Sequence, residues 1–337
     1  MSKSEIAMTD YFDALEKVKN KITQAQYQVM TSANVERNIL YWNIGNVIIE
    51  YSTWGNRFVE TLSKDLKLSY PGVDGYSARN LNYMKQFAQR IPSEKILHQV
   101  GAKISWKAIK TLIDKTDSLE EYLWYTERCL ENGWSTAVLV HQLESGLYER
   151  QALADKTTNF NAQLSNPYNE QVEEIIKDPY IFDFIPNSKK MKEVELEEAL
   201  VQQITKLLLE FGTGFAFMGR QYPIKVGDRD FYIDLLFYNV KLHCYFVVEL
   251  KTVEFEPEFA GKLSFYLSAI DGELKSPADN PTIGLLLCKG KDKMVAEYAL
   301  RDVNKPMGVS EYKLSSQINK ELQDNIPTIE DIENRLN

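Results

Sequence analysis

The sequence predicts a chain of class α + α/β, an all-helical first part followed by a mixed α/β second part. Up to Gln151, apolar residues recur at three- and four-residue spacing, with turn residues clustered between the runs. From Glu193 the period changes to a helix, three β-type runs, a helix, a continuous apolar run and a last helix. Between the two lies a polar, turn-rich stretch containing KTTNFNAQLSNPY and IPNSKK. The expected domains are 1–151, helical and helix-turn-helix-like; 152–191, a linker; and 192–337, a mixed sheet covered by helices.

In the first part, Tyr11 to Met30 and Asn34 to Tyr51 read as helices, interrupted only by Gly45. Phe58 to Leu68 reads as a short helix. Pro71, Gly72, Asp74 and Gly75 then form a turn, and Ser77 caps a second helix beginning S-A-R-N. That outline is a helix-turn-helix unit, and equally that of a plain helical hairpin. Its second helix presents Arg79, Asn80, Asn82, Lys85 and Gln86, groups suited to phosphates and base edges. Lys107 to Leu130 reads as one helix stopped by Glu131-Asn132-Gly133, and Ser135 caps another running through Tyr148. His141 on that helix has no second His or Cys nearby and reads as a packing residue.

In the second part, Glu193 to Phe211 reads as one helix, with a short helix before it near Glu170 to Lys177. FAFMGRQYPIKV, DFYIDLLFYN and LHCYFVVELKTV follow as strands, the last two joined at Val240-Lys241. Pro257 to Ala269 is helical, IGLLLCK is a buried-type strand and MVAEYALRDV is helical.

Two acids stand where this pattern leaves no room for idle ones. Asp234 and Glu249 interrupt otherwise apolar strands, where an unpaired carboxylate costs several kcal/mol in effective terms. Two such acids on neighbouring strands repel unless a cation joins them. With a two-residue turn at Val240-Lys241, Asp234 faces Val247 and Tyr232 faces Glu249. Asp234 and Glu249 are then diagonal neighbours, about 7 Å apart at the backbone, and share one sheet face with Lys251. Two carboxylate ligands suit a hard cation such as Mg²⁺. A cation beside a lysine suits phosphodiester hydrolysis, with Lys251 orienting water or stabilising charge on the phosphate oxygens. The bland reading leaves Glu249 and Lys251 at a strand end with solvated tips, but it does not account for Asp234 in mid-strand.

The net charge of −9 bears on a nucleic-acid substrate. Through Arg150 the chain holds 18 basic and 18 acidic residues, so the remainder carries the whole excess. Tyr51 to Lys110 holds ten Lys or Arg against four Asp or Glu, a local +6, and a phosphate backbone responds to such a patch. Cys129, Cys244 and Cys288 lack metal-ligand spacing, and their odd count argues against a disulfide framework, so a cytoplasmic location is expected. No apolar run reaches the ~18 residues of a membrane span, and MSKSEIAMTDYF has no signal-type stretch.

An Asp in the second strand, E-x-K in the third and helices on either side resemble the PD-(D/E)XK nuclease core, a restriction-endonuclease-like αβββαβ arrangement. More closely, the chain resembles the YhcG-like family, in which a helical, winged-helix-type N-terminal domain precedes such a nuclease domain. NGWSTAVLVHQLESGLYERQ, ELEEALVQQI, GFAFMGRQY, FYIDLLFY, VVELK and PEFAGKLSFYLSAID carry this resemblance across nearly the whole chain. It implies that Asp234 and Glu249 are metal ligands and Lys251 the catalytic lysine. It also implies an acid in the first core helix, Glu197, with Glu195 and Glu198 as alternatives. Lys262 and Tyr266, one turn apart, stand where related nucleases often have Gln and Tyr, and Gln221 is a further candidate. Ile233, rather than proline, precedes Asp234.

The leading expectation is a Mg²⁺-dependent nuclease (Mn²⁺ being an alternative ion), an endonuclease acting on DNA. Genome maintenance, mobile elements and defence are all compatible settings, as is a homodimer or a place in a complex. The alternatives are a non-catalytic DNA-binding adaptor that uses the nuclease fold for docking, and an RNA substrate.

Overall fold

Helix α1 (Met8–Glu50) merges the two runs expected at 11–30 and 34–51, since no proline or glycine stands between them. A Cβ at Gly45 would lie 2.0 Å from the carbonyl oxygen of Met84, so only glycine permits this approach of α1 to α3 (Ala78–Arg90). The computed structural model describes residues 8–51, 57–94, 97, 102–186 and 191–314, and the chain divides into two units, Met1–Val140 and His141–Asn337.

The first unit continues with α2 (Phe58–Ser69), α4 (Trp106–Lys115) and α5 (Leu119–Asn132); the division falls within α6 (Thr136–Glu144). Ser77 caps α3 as expected, its hydroxyl accepting from the Asn80 amide at 3.2 Å. The helix expected over 107–130 is two helices. Thr116 leaves helical geometry and Ser118 starts α5 by accepting from the Glu121 amide. Gly133 ends α5 at φ 62°. Leu81, Met84, Phe87 and Ala88 form the buried stripe of α3. Among the described residues of this unit every regular element is helical, and the strands of a wing are not among them.

The second unit contains β1 (Thr157–Thr158), α7 (Phe160–Gln163), α8 (Tyr168–Ile175), β2 (Tyr180–Phe182), α9 (Glu193–Gln202) and α10 (Ile204–Phe211). Then come β3 (Phe215–Val226), β4 (Arg229–Asn239), β5 (Cys244–Leu250), α11 (Glu258–Glu273), β6 (Ile283–Cys288), α12 (Lys293–Arg301) and β7 (Met307–Leu314). The sheet order is β1-β7-β6-β5-β4-β3, with β2 also paired to β7. The β3–β4 and β4–β5 pairs are antiparallel and the β5–β6 and β6–β7 pairs parallel, the mixed sheet that the sequence predicts.

Three expectations need correction. The helix 193–211 is broken at Gln203, whose backbone leaves helical geometry. Over its described residues, 152–186, the stretch expected as a linker is part of the sheet unit, because β1 and β2 extend the sheet and Phe160, Val172, Tyr180 and Phe182 are buried in its core. Asn159 fixes it further. Its amide donates to the carbonyls of Val303 (3.1 Å) and Lys305 (3.0 Å), and its Oδ1 accepts from the Met307 amide at 2.8 Å.

The third concerns register. Strands β4 and β5 are joined by four residues, 240–243, and not two. The Asn239 side chain accepts from the amides of Lys241 and Leu242, each at 3.0 Å, and His243 takes φ 47°. Asn239 therefore pairs with Cys244 and Leu235 with Val248. One step beyond that last pair, Asp234 stands opposite Glu249 and not diagonal to it. A shift of two residues preserves the side-chain alternation, so both acids keep the same face.

That face packs against α11 and α12 through Leu236, Val247, Leu263, Leu267 and Leu300, and the other against α9 and α10 through Leu196, Leu200, Leu207 and Phe211. Among the described residues no helix is long and apolar enough to cross a membrane.

Candidate active site

Asp234 is 6 % exposed, and its Oδ2 accepts from the backbone amide of Leu250 at 2.9 Å, so the carboxylate caps the end of the β4–β5 ladder. Glu249 is wholly buried. Its Oε1 accepts from Lys251 at 3.1 Å and is ion-paired with Lys262, while its Oε2 is buried without a hydrogen-bond partner. Lys251 follows β5 and also donates to Glu193 Oε2 at 3.2 Å and to the Leu250 carbonyl at 3.0 Å. The Phe259 ring lies 5.4 Å from the same ammonium, and the Tyr312 hydroxyl donates to the Lys251 carbonyl at 3.3 Å. This backbone and ring contact holds the lysine at the acids.

From the opposite layer, α9 contributes Glu197, 1 % exposed. The choice among three glutamates is resolved geometrically: Glu195 closes a capping box on the Lys192 amide, Glu198 is exposed and Glu197 meets the cluster. Gln221 makes the connection, its Nε2 donating to Glu197 Oε2 at 2.8 Å and to Asp234 Oδ1 at 3.3 Å. Strand β3 bulges between Phe217 and Gly219, and Gln221 has φ 45°, rare for a side-chain-bearing residue. The irregular strand aims Gln221 between the two acids. On α11, Lys262 reaches Glu249 and lies 5.4 Å from the Tyr266 ring, so all seven predicted residues of the second unit come together.

Sequence reasoning missed Glu193, the third acid on Lys251, although its position one turn before Glu197 was a usable signal. Glu193, Glu197, Asp234 and Glu249 face two ammonium groups, Lys251 and Lys262, leaving two excess negative charges when all are ionised. Burial, then the charge of Glu249, pushes the Asp234 carboxyl up to about 7. Burial raises Glu197 as well, opposed by the Gln221 hydrogen bond. Burial by itself would lower Lys251, but Glu249, Asp234 and Glu193 outweigh it and hold the ammonium above the usual lysine range.

A divalent cation fits this donor set. It would meet the partnerless Oε2 of Glu249, hard oxygen ligands and two uncompensated charges. Among the described residues no three His, Cys, Asp or Glu side chains form a metal cage by themselves. Asp234 and Glu249 would therefore supply only part of such an ion's ligands.

In the first unit, Arg79 and Asn82 are exposed on α3 and Lys85 is half-buried. Asn80 leaves the predicted nucleic-acid-facing set. Its amide donates to the Gly75 carbonyl at 2.7 Å, and its Oδ1 accepts from the Trp106 indole at 2.8 Å.

Comparisons agree with this layout. Residues 17–150 match the DUF1016 N-terminal domain and residues 173–327 the YhcG PDDEXK nuclease domain. The chain is 28% identical over 361 residues to YhcG of Escherichia coli (strain K12), with 96% of each chain covered. Among solved structures, a repair endonuclease from Pyrococcus abyssi is similar at 14% identity and TM-score 0.26, over 38% of this chain and 49% of that one. An EndoMS-dsDNA2 complex is similar at 17% identity and TM-score 0.27, over 39% and 47%. This chain thus spans about half the length of each of those two. In order along the sequence, then, the chain resembles a DUF1016 N-terminal domain followed by a YhcG PDDEXK nuclease domain, and the second of these holds every residue of the acid–lysine cluster.

Proposed function

We propose that the second unit is a Mg²⁺-dependent endonuclease that hydrolyses phosphodiester bonds of DNA, with Mn²⁺ able to replace Mg²⁺. The observation that carries this reading is the buried, partnerless Oε2 of Glu249, set beside Asp234 and Lys251. The match to a PDDEXK nuclease domain supports it.

Asp234 and Glu249 would hold the cation. When bound, it supplies a Lewis acid for a phosphate oxygen and eases deprotonation of water. Lys251, kept charged by its acidic neighbours, donates to the phosphate oxygens as negative charge builds there. Gln221 holds Asp234 and Glu197 in a fixed relation. Lys262, at the half-exposed rim, meets the substrate backbone, with Tyr266 under its ammonium. The helical first unit brings nucleic acid to this site.

The test is incubation of the full chain with single-stranded, duplex and branched DNA and with RNA, in Mg²⁺ or EDTA, beside Lys251→Ala. The expected result is DNA cleavage in Mg²⁺, none in EDTA, and a rate at least ~10²-fold lower in the variant. Undiminished cleavage by the variant removes the catalytic assignment. Binding without cleavage of any substrate makes the chain an adaptor.

A further inference from the structure

Helices α3 and α4 enclose an open groove of about 320 Å³ that includes Ser77, Arg79, Tyr83, Lys107, Lys110 and Asp114 in its lining. The Arg79 guanidinium lies 5.9 Å and the Lys110 ammonium 5.5 Å from the centre of the Tyr83 ring. The Tyr83 hydroxyl donates to Asp114 Oδ2 at 2.8 Å, which fixes the ring and engages the one carboxylate named in the lining. Among the described residues no ion pair involves Arg79, Lys107 or Lys110. Three cations thus converge on one groove with no acid paired to any of them, in a chain whose net charge is −9.

Like charges gathered this way repel, and a ligand that supplies regularly spaced anions relieves the repulsion. The groove is at the small end for a ligand pocket and lined mainly by polar groups, a poor match for an apolar small molecule. Arg79 continues along the exposed face of α3 into Asn82, Gln86 and Gln89. These uncharged amides offer donors and acceptors to base edges, whereas an acidic peptide would call for more cations.

We propose that this groove grips the phosphodiester backbone of nucleic acid, with Arg79, Lys107 and Lys110 as phosphate contacts and Tyr83 as a rigid wall between them. The assignment adds Lys107, Lys110 and Tyr83 to the face predicted from α3. It rests on the reading of nucleic acid as substrate and concerns binding alone.

The test uses the full chain in EDTA, with a fluorescein-labelled duplex DNA followed by fluorescence anisotropy over a range of salt concentrations. Lys107→Ala/Lys110→Ala is compared with a charge-matched control on α1, Lys19→Ala/Lys21→Ala, outside the basic stretch 51–110. The groove variant is expected to bind more than about tenfold more weakly, with a salt slope lower by roughly two, one per phosphate contact removed. The control is expected to bind as the parent does. Equal losses in both pairs, an unchanged slope, or displacement of the DNA by polyglutamate as readily as by unlabelled DNA overturns the proposal. The two readings separate cleanly. Lost binding in a chain that cleaves nothing keeps the groove and removes the nuclease; unaltered binding in a chain that cleaves DNA does the reverse.

Discussion

Lys262 and Glu249 form an ion pair at Oε1, the same oxygen that receives Lys251, while Oε2 of that carboxylate has no partner. One edge of a single side chain is doubly neutralised and the other is bare. Lys262 therefore holds part of the charge that a divalent cation would take.

Replacing Lys262 by glutamine removes a half-exposed competitor of the cation and keeps a polar group at the rim. An ion pair of this exposure contributes up to about 1 kcal/mol, so Lys262→Gln is expected to tighten Mn²⁺ or Mg²⁺ binding up to about fivefold. Titration calorimetry of the two proteins reads this directly. Weaker binding in the variant would show that Lys262 assists the ion.

Asp234 gives a pH dependence of definite sign. Its folded pKa, about 7, lies above the unfolded value near 4, because burial and then Glu249 oppose its ionisation. Between these values the folded protein keeps a proton that the unfolded chain has released. Without metal, stability should fall as pH rises from about 4 and be fully reduced above about 7. Asp234→Asn removes this penalty and is expected to stabilise the metal-free protein by up to about 4 kcal/mol at pH 8, with little effect at pH 4. Urea unfolding in EDTA at both pH values measures it. Equal effects at the two pH values would remove the electrostatic account.

Away from the site, Glu210 on α10 accepts from Arg150 at 2.5 and 3.4 Å and from the Ile181 amide at 2.8 Å. Lys177 lies 3.9 Å away, its pKa lowered by burial to about 8. Two buried cations depend on one buried carboxylate. Glu210→Ala strands both and is expected to cost about 3–5 kcal/mol in denaturant unfolding, whereas Lys177→Met, which removes the surplus charge, is expected to cost clearly less. The reverse order would refute this balance.

Most of the acid–lysine cluster was legible in the sequence, because Asp234 and Glu249 break apolar strands and strand side chains alternate. The pairing register was not, since it depends on Asn239 closing a four-residue loop with its own side chain. The face survived that error because the shift was even. The two short strands went unseen for a different reason: Thr157–Thr158 and Tyr180–Phe182 are too brief to show a period, and their pairing is decided by the partner. Asn80 illustrates the converse. Its amide looked available for a base, but the turn at Gly75 and the Trp106 indole claim it.

The brace built on Asn159 bears on how this protein can be cut and recombined. The motif-bearing part of the sheet begins near residue 192, yet an excised piece starting there would uncover the hydrophobic underside of the sheet and strip hydrogen-bond partners from the edge at Met307. Any transplant of this second part into another chain must therefore begin near residue 152, so that β1, β2 and Asn159 travel with the sheet they complete.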